Sequence, residues 1–455
     1  MKLNWFSPLL PAKTDIAHYT SRILPALAKR MEVVLWTDQA EWDPALERFA
    51  EIRRYDPQNL TWDDFHQAGI SFFNIGNNAE FHLSIWQVSR QFPGIVLLHD
   101  VRLFEFFAYC YRWIWGDRDG FLACMERYYG SEGRRDGEDF WEDRLVVPYM
   151  VEHYPLTPLA LEAALGAIVH TETACLLVQE TIDCPVAYLP LPYPSKVLPR
   201  QNEEQRKLKY EQGPPYRLIM FGYIHSNRRL EPFLEAFADL PEKQQFRLDI
   251  YGELWNQKYI RDKIKQLGLR DRVAIHGFVP EPELNAALAG AHLAINLRYP
   301  SMGEASGSQL RIWSHALPSI VTRTGWYADI PETAVRFVRL ESEAEDIQTH
   351  LRDFIKNPLE FMGMGSYGHS ILENRHSPHF YTRFIQKIAS NVPALIARKV
   401  ALGLVQRTGE DLLKWTTADA LEPLLDSSSR AIYDLTKAGF SQQLVTTEAL
   451  EGAKS

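Results

Sequence analysis

Short apolar runs separated by stretches with helical spacing recur along the chain. In the first half they fall at 2–6, 33–36, 71–75, 95–99, 167–170 and 186–191. In the second half they fall at 217–221, 247–251, 273–276, 293–296, 319–322 and 335–338. Runs this short and this apolar fit strands covered on both faces of a parallel sheet. Strands alternating with helices imply βαβ units, so the pattern predicts two doubly wound, Rossmann-like α/β domains.

The boundary between them is readable. Residues 194–216 are rich in Pro, Lys, Glu and Gln and have no apolar period, which is linker composition. The expected division is a first domain at 1–195, a linker at 196–216, a second domain at 217–390 and a helical extension at 391–455. An aromatic segment with helical spacing, about 103–155, interrupts the first domain. It reads either as an insertion packed on the sheet or as a surface for an acceptor or a membrane.

Bulk properties narrow the function. A net charge of −9 excludes nucleic-acid binding by bulk charge, while a local basic pocket for phosphates remains compatible with it. Cys110, Cys124, Cys175 and Cys184 form no CxxC pair or His/Cys cluster, as expected of reduced thiols in a cytoplasmic protein. The start lacks the apolar core of a signal peptide, and no apolar run is long enough to span a bilayer.

The strongest chemical signal is YPSMGEASGSQL at 299–310, between the runs at 293–296 and 319–322. Ser306, Gly307 and Ser308 open a helix there. A helix start presents unpaired N–H groups and a positive dipole end, and small residues let a phosphate approach. Glu304 stands just before those amides, better placed for sugar hydroxyls than for a diphosphate.

This passage resembles the donor region of retaining GT-B glycosyltransferases of family GT4. Glu304 matches the family's first Glu and Pro318 its proline, while Arg311 stands where a second Glu is usual. The resemblance implies two Rossmann-like domains facing a cleft and transfer of a hexose-type sugar from a nucleoside-diphosphate donor to an acceptor hydroxyl, with retention. It implies that Glu304 contacts the donor sugar; Arg311, which departs from the pattern, is left to meet phosphate or acceptor, or to face the neighbouring domain. FGYIHSNRRLEPFLEA at 221–236 resembles the segment that grips the diphosphate, with Gly222 at its glycine and Arg228 at its lysine. Tyr223 replaces an arginine, for which Arg229 or Arg298 would compensate. IHGFVPEPEL at 275–284 resembles the turn that holds the base, so Phe278 and Val279 would line it; a plain capped loop explains the same letters.

In the first domain, His99 matches a histidine near the reacting face, with Asp100 as its orienter or an acceptor contact. Asp15 stands in the first β-to-α loop where a glycine is common and is expected to point to the acceptor; Asn77 and Asn78 end another strand and are expected to hydrogen-bond acceptor hydroxyls, although turn chemistry also explains them. The GxGxxG at 363–368 lacks a preceding strand, and the DxD of Asp117 and Asp119 lies in the helical insertion, so neither is read as a site. The expected co-substrate is a nucleotide sugar, without cofactor or metal. The acceptor is a glycan, a lipid-linked group or a small molecule; the location is cytoplasmic or peripheral at the inner membrane face. Two other readings stay open: a non-catalytic binding subunit, and another GT-B enzyme such as a sugar-nucleotide epimerase.

Overall fold

A computed structural model describes residues 1–60, 63, 69–195 and 200–415. The chain divides into two compact units, Leu191–Pro378 and the rest, Met1–Pro190 with the described residues from His379. The first unit contains β1 (Lys2–Phe6), β2 (Glu32–Thr37), β3 (Glu51–Arg54), β4 (Ile70–Ile75), β5 (Ile95–Leu98), β6 (Gly166–Val169) and β7 (Val186–Tyr188). They form one parallel sheet in the order β3-β2-β1-β4-β5-β6-β7. The second unit contains β8 (Tyr216–Ile224), β9 (Phe246–Leu254), β10 (Val273–Gly277), β11 (Leu293–Asn296), β12 (Ser319–Thr322) and β13 (Arg336–Val338). Its parallel sheet runs β10-β9-β8-β11-β12-β13.

Every apolar run named above is a strand. β3 is the addition, and its sequence, Glu-Ile-Arg-Arg, explains why the apolar pattern passes over it. It pairs on one side only, at the edge of the sheet, where charged side chains discourage further pairing. Strand order reverses between β1 and β4 and again between β8 and β11. Loops leave on opposite faces at such a point, so a crevice opens at the carboxyl ends of the strands.

The stretch expected as linker carries a helix, Arg200–Glu211. It has no apolar stripe because much of its attachment is polar. Arg206 donates to Ala316 O at 2.9 Å, Lys209 to Ala289 O at 3.0 Å, and the buried Tyr210 to His292 O at 2.7 Å. Arg206 and Lys209 thus reach carbonyls at or just beyond the carboxyl ends of two other helices, where positive charge is favoured. Burial lowers the Lys209 ammonium to about 8, with nearby Arg206 and Arg217 adding to the shift.

The helices Pro378–Ser390 and Val392–Trp415 pack with the first unit. Tyr381 accepts a hydrogen bond from Tyr19 at 2.8 Å, and Lys399 donates to Glu162 O at 2.7 Å. The remainder of the expected extension, 416–455, lies outside the described residues. The aromatic segment folds as helices Phe104–Tyr109, Arg118–Trp141 and Val147–His153, with a π-helical turn at Cys110–Trp115. It buries Phe104, Phe106, Phe107 and Phe121 and leaves Trp113 69% exposed, so part of it packs inward and part faces out. Asp117 caps the longest of these helices by accepting from Gly120 N at 2.8 Å, which accounts for that DxD. Among the described residues no helix is long and apolar enough to cross a membrane.

The GxGxxG lies inside the helix Pro358–Arg375 and is a packing surface. A Cβ at Gly368 would fall 2.2 Å from the Trp313 ring, and one at Gly365 would fall 2.3 Å from Ala316 O. A Cβ at Gly363 would meet nothing within 4 Å. Opposite outcomes are therefore expected. Gly363→Ala should stabilise by about 0.5–1 kcal/mol through helix propensity. Gly365→Ala should destabilise by about 1–3 kcal/mol, because the clash is with backbone. Denaturant midpoints of the two variants check this; equal shifts would contradict the packing role.

Candidate functional site

In the second unit the elements flanking the strand reversal are the ends of β8 and β11. Gly222 and Gly252 stand opposite one another on β8 and β9, with φ of 108° and 117°. A Cβ on Gly252 would lie 2.0 Å from Gly222 O, so the two backbones touch and glycine is required. A Cβ on Gly222 would lie 3.9 Å from Ser308 Oγ, which brings the end of β8 beside the start of the helix Gly307–Ser314. Ser306 caps that helix, its Oγ accepting from Gln309 N at 3.1 Å. Gly307 has open space where a Cβ would be, and the first helical amides have no intrahelical acceptor.

After β8 the chain makes a turn, Ser226–Arg228, and enters the helix Leu230–Ala238 through Arg229 at φ 55°. Arg228 is buried, and its Nη2 donates to Asn296 Oδ1 at 2.9 Å and to Phe221 O at 3.4 Å. Arg229 points elsewhere and forms a two-pronged pair with Glu343, which raises its pKa further. Arg298 lies 2.7 Å from Glu304 Oε1. The other carboxylate oxygen of Glu304 accepts from Met302 N at 2.7 Å and Ser301 Oγ at 3.2 Å, so Glu304 is turned into its own loop. Arg311 is buried against the helix Glu281–Gly290, donating to Asn285 Oδ1 at 3.0 Å and pairing with Glu281 at 3.2 Å.

The expected compensation for Tyr223 therefore takes a different form. Arg229 is committed to Glu343 and Arg298 to Glu304, and Arg311 is a strut between two helices. Arg228 is the expected cation that hydrogen-bonds directly across the reversal, to Asn296 at the end of β11. Val279 packs on the cluster of Phe221, Tyr251 and Leu288, while Phe278 is 66% exposed.

A buried network that the motifs do not reveal joins these parts. Asn296 Nδ2 donates to Gln309 Oε1 at 2.9 Å and to Tyr327 Oη at 3.2 Å. Tyr327 donates to Ser306 Oγ at 2.7 Å, and Gln309 Nε2 to Ser319 Oγ at 2.8 Å. The one sequence signal was a polar residue closing the apolar strand Leu-Ala-Ile-Asn.

In the first unit, residues at the ends of β4, β5 and β6 form a second polar cluster. Asn74 Nδ2 donates to Phe6 O at 2.9 Å, so its Oδ1 must accept from His99 Nε2 at 3.0 Å. His99 thus carries its proton on Nε2 and keeps a lone pair on Nδ1. Its ring centroid lies 5.0 Å from that of His170 and 4.7 Å from that of Tyr19. His170 and His82 each donate Nδ1–H to a carbonyl, Leu189 O and Asn74 O. Burial lowers the pKa of all three imidazoles; His99 goes well below its ordinary value, helped by the two neighbouring histidines.

Of the remaining expected acceptor residues, Asp100, Asn77 and Asn78 are occupied locally. Asp100 accepts from Asn77 N at 2.8 Å. Asn77 caps Phe106 N and donates to Glu105, both at 2.9 Å, and Asn78 caps the helix Ala79–Gln91 through Glu80 N at 2.9 Å. Turn and cap chemistry accounts for both asparagines. Asp15 is exposed in the first turn of the helix Asp15–Ala28, where a carboxylate suits the helix dipole.

Residues 201–370, most of the second unit, match the family model described as Glycosyl transferases group 1. A search of curated protein sequences matches none. Similar solved structures include Anabaena Alr3699/HepE in complex with UDP and glucose, at 14% identity and a TM-score of 0.58, covering 86% of this chain and 99% of that one. WaaG, a glycosyltransferase involved in lipopolysaccharide biosynthesis, gives 16% identity and 0.55, covering 86% and 99%. Sucrose-phosphate synthase from Thermosynechococcus elongatus gives 16% and 0.58, covering 87% and 99%. The chain has the GT-B fold, built from two parallel-sheet Rossmann-like domains.

The buried imidazoles make the first unit sensitive to acid. His82 and His170 are held near 4, below the ordinary 6.5 that they regain on unfolding. As pH falls the unfolded chain takes up protons first, so their stabilisation is complete above about 6.5 and is lost on acidification toward 4. The loss is about 3 kcal/mol per histidine at about 1.4 kcal/mol per pH unit. Urea midpoints at pH 7.5, 6 and 4.5 should fall steeply over the last interval, and His170→Gln should flatten the fall.

Proposed function

We propose that this chain is a glycosyltransferase that moves a hexose-type sugar from a nucleoside-diphosphate donor to an acceptor hydroxyl with retention of configuration. The observation that carries the reading is the match of residues 201–370 to Glycosyl transferases group 1, on the unit that holds Arg228 beside the strand reversal. The complexes of Alr3699/HepE with UDP-glucose, and with UDP and glucose, support a nucleotide sugar as the donor class.

The chemistry follows from the residues. A departing nucleoside diphosphate gains negative charge, which a fixed cation and fixed N–H dipoles stabilise without reorganising. Arg228 supplies the cation, and the amides of Gly307 and Ser308 supply the dipoles; no metal is required. Glu304 orients the sugar hydroxyls, exchanging contacts with Met302 and Ser301 for contacts with the donor. Arg298 then holds the carboxylate as its partner. The leaving diphosphate takes the acceptor proton on the same face, so a conventional base is unnecessary. His99, neutral and with a lone pair on Nδ1, serves the acceptor side. The acceptor is a glycan, a lipid-linked group or a small molecule.

Donor turnover across UDP-, GDP- and dTDP-hexoses tests the reading: release of nucleoside diphosphate is expected with one of them, and none with any would overturn it. Glu304→Ala and Arg228→Ala should each lower kcat by about 100-fold or more with the melting temperature little changed for Glu304→Ala. Activity should survive EDTA; abolition by EDTA and recovery with Mg²⁺ or Mn²⁺ would refute the metal-free scheme.

A further inference from the structure

The Asn296 network does more than fill the strand end. Asn296 is 1% exposed, yet its amide faces three polar partners at the point where a neighbouring strand, β12, buries Val321. A guanidinium only donates, so Asn296 Oδ1 must face Arg228 and Nδ2 must face Gln309 and Tyr327. Tyr327 receives that bond on its oxygen and spends its own proton on Ser306 Oγ. Ser306 is the cap of the helix Gly307–Ser314. The chain of bonds thus runs in one direction, from Arg228 through Asn296 and Tyr327 to the helix cap. No member can turn over without leaving a buried neighbour unpaired, which costs about 1–3 kcal/mol. Hydrogen bonds directed this way along a buried chain of side chains favour one geometry.

Its two ends are the two groups assigned to the leaving diphosphate: a cation and a set of helix amides. They come from segments far apart in sequence, so something must set their spacing. We infer that Asn296 and Tyr327 are positioning residues that hold Arg228 and the amino end of the helix Gly307–Ser314 at a fixed separation, as a two-part receptor for the two phosphates of a nucleoside diphosphate. The inference rests on the donor reading above. It adds that selectivity for a diphosphate over a monophosphate lies in Asn296 and Tyr327, which touch neither phosphate. A monophosphate needs one half of the receptor and is indifferent to the spacing; a diphosphate needs both.

Two substitutions separate positioning from mere packing. Asn296→Asp keeps the shape but puts a carboxylate against Arg228 and removes the donor to Tyr327. Tyr327→Phe keeps the ring, removes one hydroxyl, and serves if the first variant does not fold. Calorimetric binding of UDP and UMP, and of GDP and GMP, is measured on the full chain, with melting temperatures alongside. In the wild type the diphosphate of one pair should bind more tightly than its monophosphate. In both variants diphosphate affinity should fall, about tenfold or more for Asn296→Asp and about three- to tenfold for Tyr327→Phe, while monophosphate affinity changes less than about threefold. Reduced melting temperature with an unchanged diphosphate-to-monophosphate ratio would overturn the inference and leave the donor reading intact. A folded wild type that binds neither pair would overturn the donor reading, and this inference with it.

Discussion

In each sheet of this protein the strand across the reversal carries a buried asparagine near its carboxyl end that must be hydrogen-bonded on both sides, and the surrounding polar groups are arranged to meet that demand. In the first unit Asn74, on β4, ties Phe6 of β1 to His99 of the β5 end. In the second, Asn296, on β11, ties Arg228 of the β8 loop to Gln309 and Tyr327. β4 and β11 are the corresponding strands, each lying across the reversal from the first strand of its sheet. A parallel sheet covered on both faces leaves little room there for polar groups other than those that satisfy one another. The same constraint has been met with an imidazole in one unit and a guanidinium in the other, and this difference separates the chemistry of the two.

The strands were legible because their signal is local. An apolar run bounded by turns needs no knowledge of the rest of the chain, so the core strands could be read directly. β3 was not legible, because one-sided pairing at an edge lets its residues be charged. The helix Arg200–Glu211 was missed for a related reason: Arg206, Lys209 and Tyr210 dock by reaching carbonyls, and a linker and such a helix have the same composition.

The candidate donor site was legible where small residues and a cation must sit next to a strand end. Gly222, Arg228 and the opening at Ser306 to Ser308, which the resemblance grouped, lie around the ends of β8 and β11. The partners of the other arginines were not legible. Arg229 meets Glu343, more than a hundred positions away, and Arg311 meets Glu281 and Asn285. Sequence spacing shows that a charge is near a site but not which opposite charge folds against it. Asn77 and Asn78 teach the same lesson for amides, since a residue type suited to ligand hydroxyls is equally suited to helix ends.

The pairing of Arg229, Arg298 and Arg311 has a kinetic consequence. Arg229, Arg298 and Arg311 each have a carboxylate within a few ångströms, and the chain as a whole carries a net charge of −9. Beyond a Debye length of about 8 Å such pairs present almost no positive field to solvent. An anion arriving from bulk is therefore not drawn in from a distance by these three arginines. Recognition then begins at contact, where the guanidinium of Arg228 and the helix amides act over a hydrogen-bond length. Discrimination among anions is left to residence time rather than to capture.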